Sequence, residues 1–141
     1  MIKNRKSQSR LNALLTPVLH TVYNQIMRTT QKKGDIAVAQ AIARFTKMGY
    51  DVSLPITESA SYDLIVDVGK KLNKVQVRYS SVKEIPLRRI HSNSKGYVVK
   101  KTKPHAYDWL YIFKNTGEEY LIKKCLSNRT TITPGIEYIL K

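Results

Sequence analysis

Residues 62–81 read YDLIVDVGKKLNKVQVRYSS. Two short runs rich in branched apolar residues flank a Gly-Lys-Lys turn, and that pattern predicts a β-hairpin. The first strand is expected at Tyr62–Val68, the turn at Gly69–Asn73 and the second strand at Lys74–Tyr79. Side chains alternate faces along a strand, so Gln76 and Arg78 point the same way. Closing the hairpin around residues 69–73 sets Asp63 opposite roughly residue 79, close to Arg78. An acid, an amide and a guanidinium are therefore expected at one end of the pair.

Such a trio suits hydrolysis of a phosphodiester. A hard divalent cation such as Mg²⁺ takes oxygen ligands, few from protein and several from water and phosphate. Asp63 offers a carboxylate, Gln76 a carboxamide oxygen and Val77 its backbone carbonyl. Arg78 would orient the attacking water or neutralise the phosphate in the transition state. The same spacing also fits an acid that caps a strand end, with Gln76 and Arg78 on an ordinary solvated face. Spacing alone leaves both readings open.

Around the hairpin, the apolar positions Leu11, Leu14, Leu15, Val18, Leu19, Val22, Tyr23 and Ile26 recur at three-four spacing and predict an amphipathic helix, with Pro17 as its kink or true start. Thr29–Gly34 reads as a linker. A second helix is expected at Asp35–Met48, with Asp35 capping it, Ile36, Ala39, Ala43 and Phe45 as its apolar residues and Gly49 as its stop. Tyr50–Pro55 predicts a strand and Thr57–Ser61 a loop. Asp108–Lys114 and Glu119–Lys124 predict a second strand pair around Asn115-Thr116-Gly117, and Ile132–Lys141 a short last element. Helix, strands, a basic excursion and more strands imply an α/β or α+β sheet with helices packed on it. We divide the chain into an N-terminal helical extension, residues 1–30, and a domain of residues 31–141.

Twenty-five Lys and Arg against 10 Asp and Glu give a formal charge of +15 over 141 residues. Solubility does not require so large an excess, so a polyanionic partner is expected, most simply nucleic acid. A membrane-surface or ribosome-associated protein without chemistry is the other reading of charge alone. Lys83–Pro104 holds seven of the bases and one acid. Lys83, Arg88, Arg89, Lys95, Lys100, Lys101 and Lys103 are candidate phosphate contacts, with Arg88 and Arg89 able to enter a groove. The hydroxyls of Ser80 and Ser81 are candidates to reach phosphates.

Tyr107, Trp109, Tyr111, Phe113 and Tyr120 read as core rather than as a stacking platform. The scattered His20, His91 and His105 have no zinc spacing, and no Gly-rich phosphate loop is present. The single cysteine, Cys125, points to a reducing compartment such as the bacterial cytoplasm. The first 34 residues carry seven bases and no acid, which also fits an organelle transit peptide. No apolar run approaches the ~20 residues that span a bilayer.

The series KKGDIAVAQAIARFTKMGYDVSLP, YDLIVD and KVQVRYSS resembles the PD-(D/E)XK nuclease superfamily. More narrowly, it resembles the small homing endonucleases encoded in bacterial group I introns, of the cyanobacterial type. The later YDWLYIFKNTGEEYLIK is similar to that family's Tyr-Asp, strand, turn, strand segment, so the likeness spans about Lys33 to Pro134. It implies a restriction-endonuclease-like core, a mixed sheet flanked by helices. It also implies Mg²⁺-dependent cleavage of double-stranded DNA by a homodimer or homotetramer. By this resemblance Asp63 matches the metal-binding aspartate, and Gln76 the second acidic position, which this branch tolerates as glutamine. Arg78 falls where the family has lysine. The helix position that usually holds glutamate falls on Val38, and Asp35, one turn earlier, is the candidate substitute. Valine offers no ligand, and arginine does not readily lose a proton. The alternative is therefore a catalytically impaired nuclease-fold protein that binds DNA or RNA, for example an intron-splicing helper.

Overall fold

The computed structural model describes the backbone of residues 3–141 and the side chains of all of these but 3–12, 14, 20, 23–28 and 89–93. It divides into two compact units, Met1–Lys33 and Gly34–Lys141. Helix α1 is Lys3–Lys47. In the first unit, Leu15, Val18, Leu19 and Val22 are exposed. Pro17 lies inside the helix, and Thr21 Oγ1 donates to its carbonyl at 2.9 Å. The predicted stripe residues Leu11, Leu14, Tyr23 and Ile26 have side chains outside the described set.

Two sequence expectations fail here. Thr29–Gly34 is helical rather than a linker. Gln31, Lys32 and Lys33 are good helix formers, and one glycine costs a helix only about 1 kcal/mol relative to alanine. Asp35 consequently sits inside α1, exposed, and caps nothing.

In the second unit, the buried stripe of α1 is Ala37, Ala41 and Phe45, each four residues from the next. Ile36, Ala39 and Ala43, expected as apolar contacts, face solvent. Small side chains on the inner face let the helix lie close to the sheet. Phe45 then fills the gap against Trp109 and Tyr111, with ring centroids 6.1 and 5.7 Å away. Gly49, at φ +82°, ends the helix: its N–H bonds the Thr46 carbonyl and that of Tyr50 bonds the Phe45 carbonyl, a Schellman stop.

The strands are β1 (Asp51–Ser53), β2 (Leu64–Val68), β3 (Lys71–Ser80), β4 (Ile85–Pro86), β5 (Arg89–Asn93), β6 (Gly96–Lys100), β7 (Trp109–Lys114), β8 (Glu119–Ile122) and β9 (Thr131–Ile132), followed by a 3₁₀ turn at Ile136–Tyr138. Five form the central sheet in the order β1-β2-β3-β7-β8. Its central pair, β3 and β7, is parallel and the other pairs are antiparallel, so the sheet is mixed and the class is α/β.

One face of the sheet (Leu64, Val66, Val75, Val77, Tyr111, Leu121) packs under α1. The opposite face, with Leu110, Ile112 and Ile122, is covered by Ile85, Leu87, Tyr107, Leu126 and Ile132. Trp109, Tyr111, Tyr107 and Tyr120 are all buried, so the aromatic strand is core. The crossover between β3 and β7 contains the hairpin β5–β6, which pairs with no other strand among the described residues. Sequence reading placed no strands there, because a dense run of bases masks the alternation.

On the helix side, Glu119 is buried and accepts from Arg44, Gln40 and the Tyr111 hydroxyl. Burial pushes the Glu119 carboxyl up, but these donors outweigh it and hold it below the ordinary carboxylate range. Burial, reinforced by the bond to Glu119, pushes the Tyr111 hydroxyl well above its usual range.

Candidate active site

The start of β2 and the middle of β3 build the site. Val75 and Val77 enter the helix-side core, so the intervening Gln76, with Arg78 and Ser80, faces the other way. Register decides what meets Gln76. Leu64 pairs with Val75, and the Asp63 N–H donates to the Val75 carbonyl at 2.9 Å, so Asp63 stands opposite Gln76, not opposite residue 79. The expected five-residue turn is the cause of that error. Gly69, at φ +70°, and Lys70 suffice to reverse the chain, and Lys71, Leu72 and Asn73 already belong to β3.

The corrected register brings the acid and the amide together. Asp63 Oδ2 accepts from Gln76 Nε2 and, at 2.7 Å, from the Val77 N–H. Gln76 Nε2 also lies 3.4 Å from the Val77 carbonyl oxygen. A carboxylate oxygen and a backbone carbonyl oxygen thus face one point, and the electropositive end of an amide fills it. A half-turn of the carboxamide about its last torsion would exchange Nε2 for Oε1. The donor set is then three oxygens with one negative charge, the hard and sparsely charged kind that Mg²⁺ accepts. These residues fit such an ion. Among the described residues no group of three His, Cys, Asp or Glu offers a competing metal site.

Arg78 is half-buried, and its Nη2 donates to the Leu87 carbonyl at 3.3 Å. Two residues along β3 from Gln76, its Cα lies about 7 Å further along the strand. Asp63 is therefore opposed by Gln76 and not, as expected, by a position next to Arg78.

Two hollows adjoin the Asp63–Gln76 contact. Val38, Tyr62, Asp63, residues 54–58 and Ala60 line a recess. A cavity of about 520 Å³ is lined by Gln76, Tyr107, Ser59, Ser61 and the basic run Lys100–Lys103. Glu58 lines both. Nothing in the sequence singled it out, because a loop acid without periodicity carries no signal. Asp35 lines neither hollow.

Of the proposed phosphate contacts, Ser81, Lys83, Arg88, Lys95, Lys100, Lys101 and Lys103 are exposed. The side chain of Arg89 lies outside the described residues. Ser80 is buried, and its hydroxyl bonds both the N–H and the carbonyl of Val82, so it shapes the chain reversal after β3 instead of facing solvent. Tyr107 and Asp108 have structural partners: the Tyr107 hydroxyl accepts from the Leu126 N–H, and Asp108 Oδ2 accepts from the Lys74 N–H. Asp108, which also donates its own N–H to the Lys74 carbonyl, pins the start of β7 beside β3.

The model of the PD-(D/E)XK endonuclease family matches residues 28–126. The chain belongs to that family. Among solved structures, it is similar to a bacterial homing endonuclease, I-Ssp6803I, with 28% identity and a TM-score of 0.66 over 75% of this chain and 78% of that one. A search of curated protein sequences gave no match. The mixed sheet with α1 on one face is thus a PD-(D/E)XK endonuclease core, and the hairpin β2–β3 carries its Asp63–Gln76 pair. Val38, the helix position read as the missing glutamate, does face the recess at Asp63.

Proposed function

We propose that this PD-(D/E)XK protein is a site-specific homing-type DNA endonuclease that hydrolyses phosphodiester bonds with a divalent metal of the Mg²⁺ type. The observation that carries the reading is the convergence of Asp63, Gln76 and the Val77 carbonyl on one point beside an open, lysine-walled cavity.

Asp63, Gln76 and the Val77 carbonyl would hold the ion. When bound, such an ion lowers the pKa of water and screens charge on the scissile phosphate. Asp63 is held in place by the Val77 N–H, so its carboxylate needs little reorganisation to act. Arg78, fixed by the Leu87 carbonyl on the same face, adds a permanent positive charge but no base. Lys100, Lys101 and Lys103 position the DNA backbone.

Cutting both strands takes two such sites, hence a homodimer or homotetramer. The exposed Leu15, Val18, Leu19 and Val22 in the N-terminal extension support self-association, which sedimentation of the intact chain measures.

The test is cleavage, with Mg²⁺, of a supercoiled plasmid carrying the uninterrupted DNA of the gene's own insertion locus. We expect linear product from the intact chain, and none from Asp63→Ala at undiminished DNA affinity. Val38 in the recess and the bond from Arg78 to Leu87 favour a second reading, a nuclease-fold protein that binds DNA or RNA without cutting. Tight binding without nicking in either Mg²⁺ or Mn²⁺ would establish it.

A further inference from the structure

We infer that Glu58 supplies the second negative charge facing the cation at Asp63, in place of the helix acid that Val38 does not provide. The inference rests on the metal-dependent reading above.

One carboxylate is a weak charge complement for a divalent ion, which leaves a net positive charge on the cluster before any phosphate arrives. The recess beside Asp63 has two neighbouring walls. Val38 of α1 forms one and contributes no oxygen. Loop residues 54–58 and Ala60 form another and contribute Glu58. Among the residues lining the recess or the cavity, Glu58 and Asp63 are the two acids. Glu58 is also the acid shared by both hollows, so it stands where the side holding Asp63 meets the side holding Gln76.

The loop is held in position. Its turn closes through the Ala60 N–H and the Thr57 carbonyl at 3.4 Å. Ser61 Oγ donates to the Ala106 carbonyl at 2.7 Å, which ties the loop to the opposite wall of the cavity. An acid on a surface loop of a chain with charge +15 would ordinarily serve to pair a lysine. Here its backbone is anchored at the rim of the recess that contains Asp63.

The readout is metal binding by the intact chain without DNA, measured by calorimetric titration with Mn²⁺ for the wild type, Glu58→Gln and Asp63→Asn. Residues that support a metal from outside its direct ligands typically change affinity 10–100-fold, so Glu58→Gln is expected to weaken Mn²⁺ binding by about tenfold or more. Asp63→Asn is expected to abolish it. Because Glu58 is exposed, the substitution leaves the core untouched, and DNA affinity in EDTA should not fall. Wild-type Mn²⁺ affinity in Glu58→Gln, with binding lost in Asp63→Asn, overturns the role of Glu58 and leaves the metal-dependent reading intact. If the wild type takes up no Mn²⁺ at millimolar concentration, both fall together.

Discussion

Val38 and Arg78 are the two residues in which this site differs from what its family resemblance implies. Valine at position 38 packs against the helix-side core while also lining the recess at Asp63. It trades a ligand for apolar contact. Replacing it with glutamate should reverse the trade. For Val38→Glu we expect Mn²⁺ affinity and single-turnover cleavage to rise by about tenfold, read against a melting curve that reports the lost packing. Arg78 keeps a positive charge but cannot give up a proton, so any base must come from elsewhere. Asp63, Gln76 and Arg78 were legible as a trio from residue type, but not the direct pairing of Asp63 with Gln76, which depends on register. Glu58 was not, since its place depends on a turn and a side-chain anchor that no periodicity announces.

The β2–β3 hairpin shows how a correct reading of type can coexist with a wrong reading of register. Alternation identified both strands and the shared face of Gln76 and Arg78. The sequence predicts a five-residue turn where two residues suffice, and the difference moves the partner of Asp63 from residue 79 to Gln76. The slip is an odd three residues, so it also swaps faces, setting Leu64 and Val66 against Arg78 and Gln76 instead of Val75 and Asn73, a mismatch that the alternation itself exposes.

The junction of α1 with β8 was wholly illegible, since Arg44 and Glu119 lie 75 residues apart. Glu119 is buried but Arg44 is partly exposed, so Glu119→Ala, which strips the partner from Arg44, Gln40 and Tyr111, should lose about 1–3 kcal/mol in urea melts. The pair also sets a pH response. The folded-state pKa of Glu119 lies below its ordinary value of 4.5. Its contribution is therefore full above that pH and is lost as pH falls through the lower folded value. Melts from pH 6 down to about 3 should show an acid-side loss in the wild type that shrinks in Glu119→Gln.

Charge dominates at the level of the entire chain, and it was the most readable property of all. Neutralising six phosphates would give a log–log salt slope of about −5 for DNA binding. Each of Lys100, Lys101 and Lys103 changed to alanine should flatten that slope by about one, as measured by fluorescence anisotropy. The sequence located this basic segment but not its form, because bases along Lys83–Pro104 hide a ladder in which Arg89 faces Lys100 and Asn93 faces Gly96.

Among the described residues that ladder pairs with no strand of the central sheet, whereas Gln76 and Arg78 lie on β3, which is paired on both sides. Under the proposed reading, the outer part of the ribbon is free to drift without disturbing Asp63 and Gln76, while Lys100 at its inner end shares the cavity with Gln76 and couples the two.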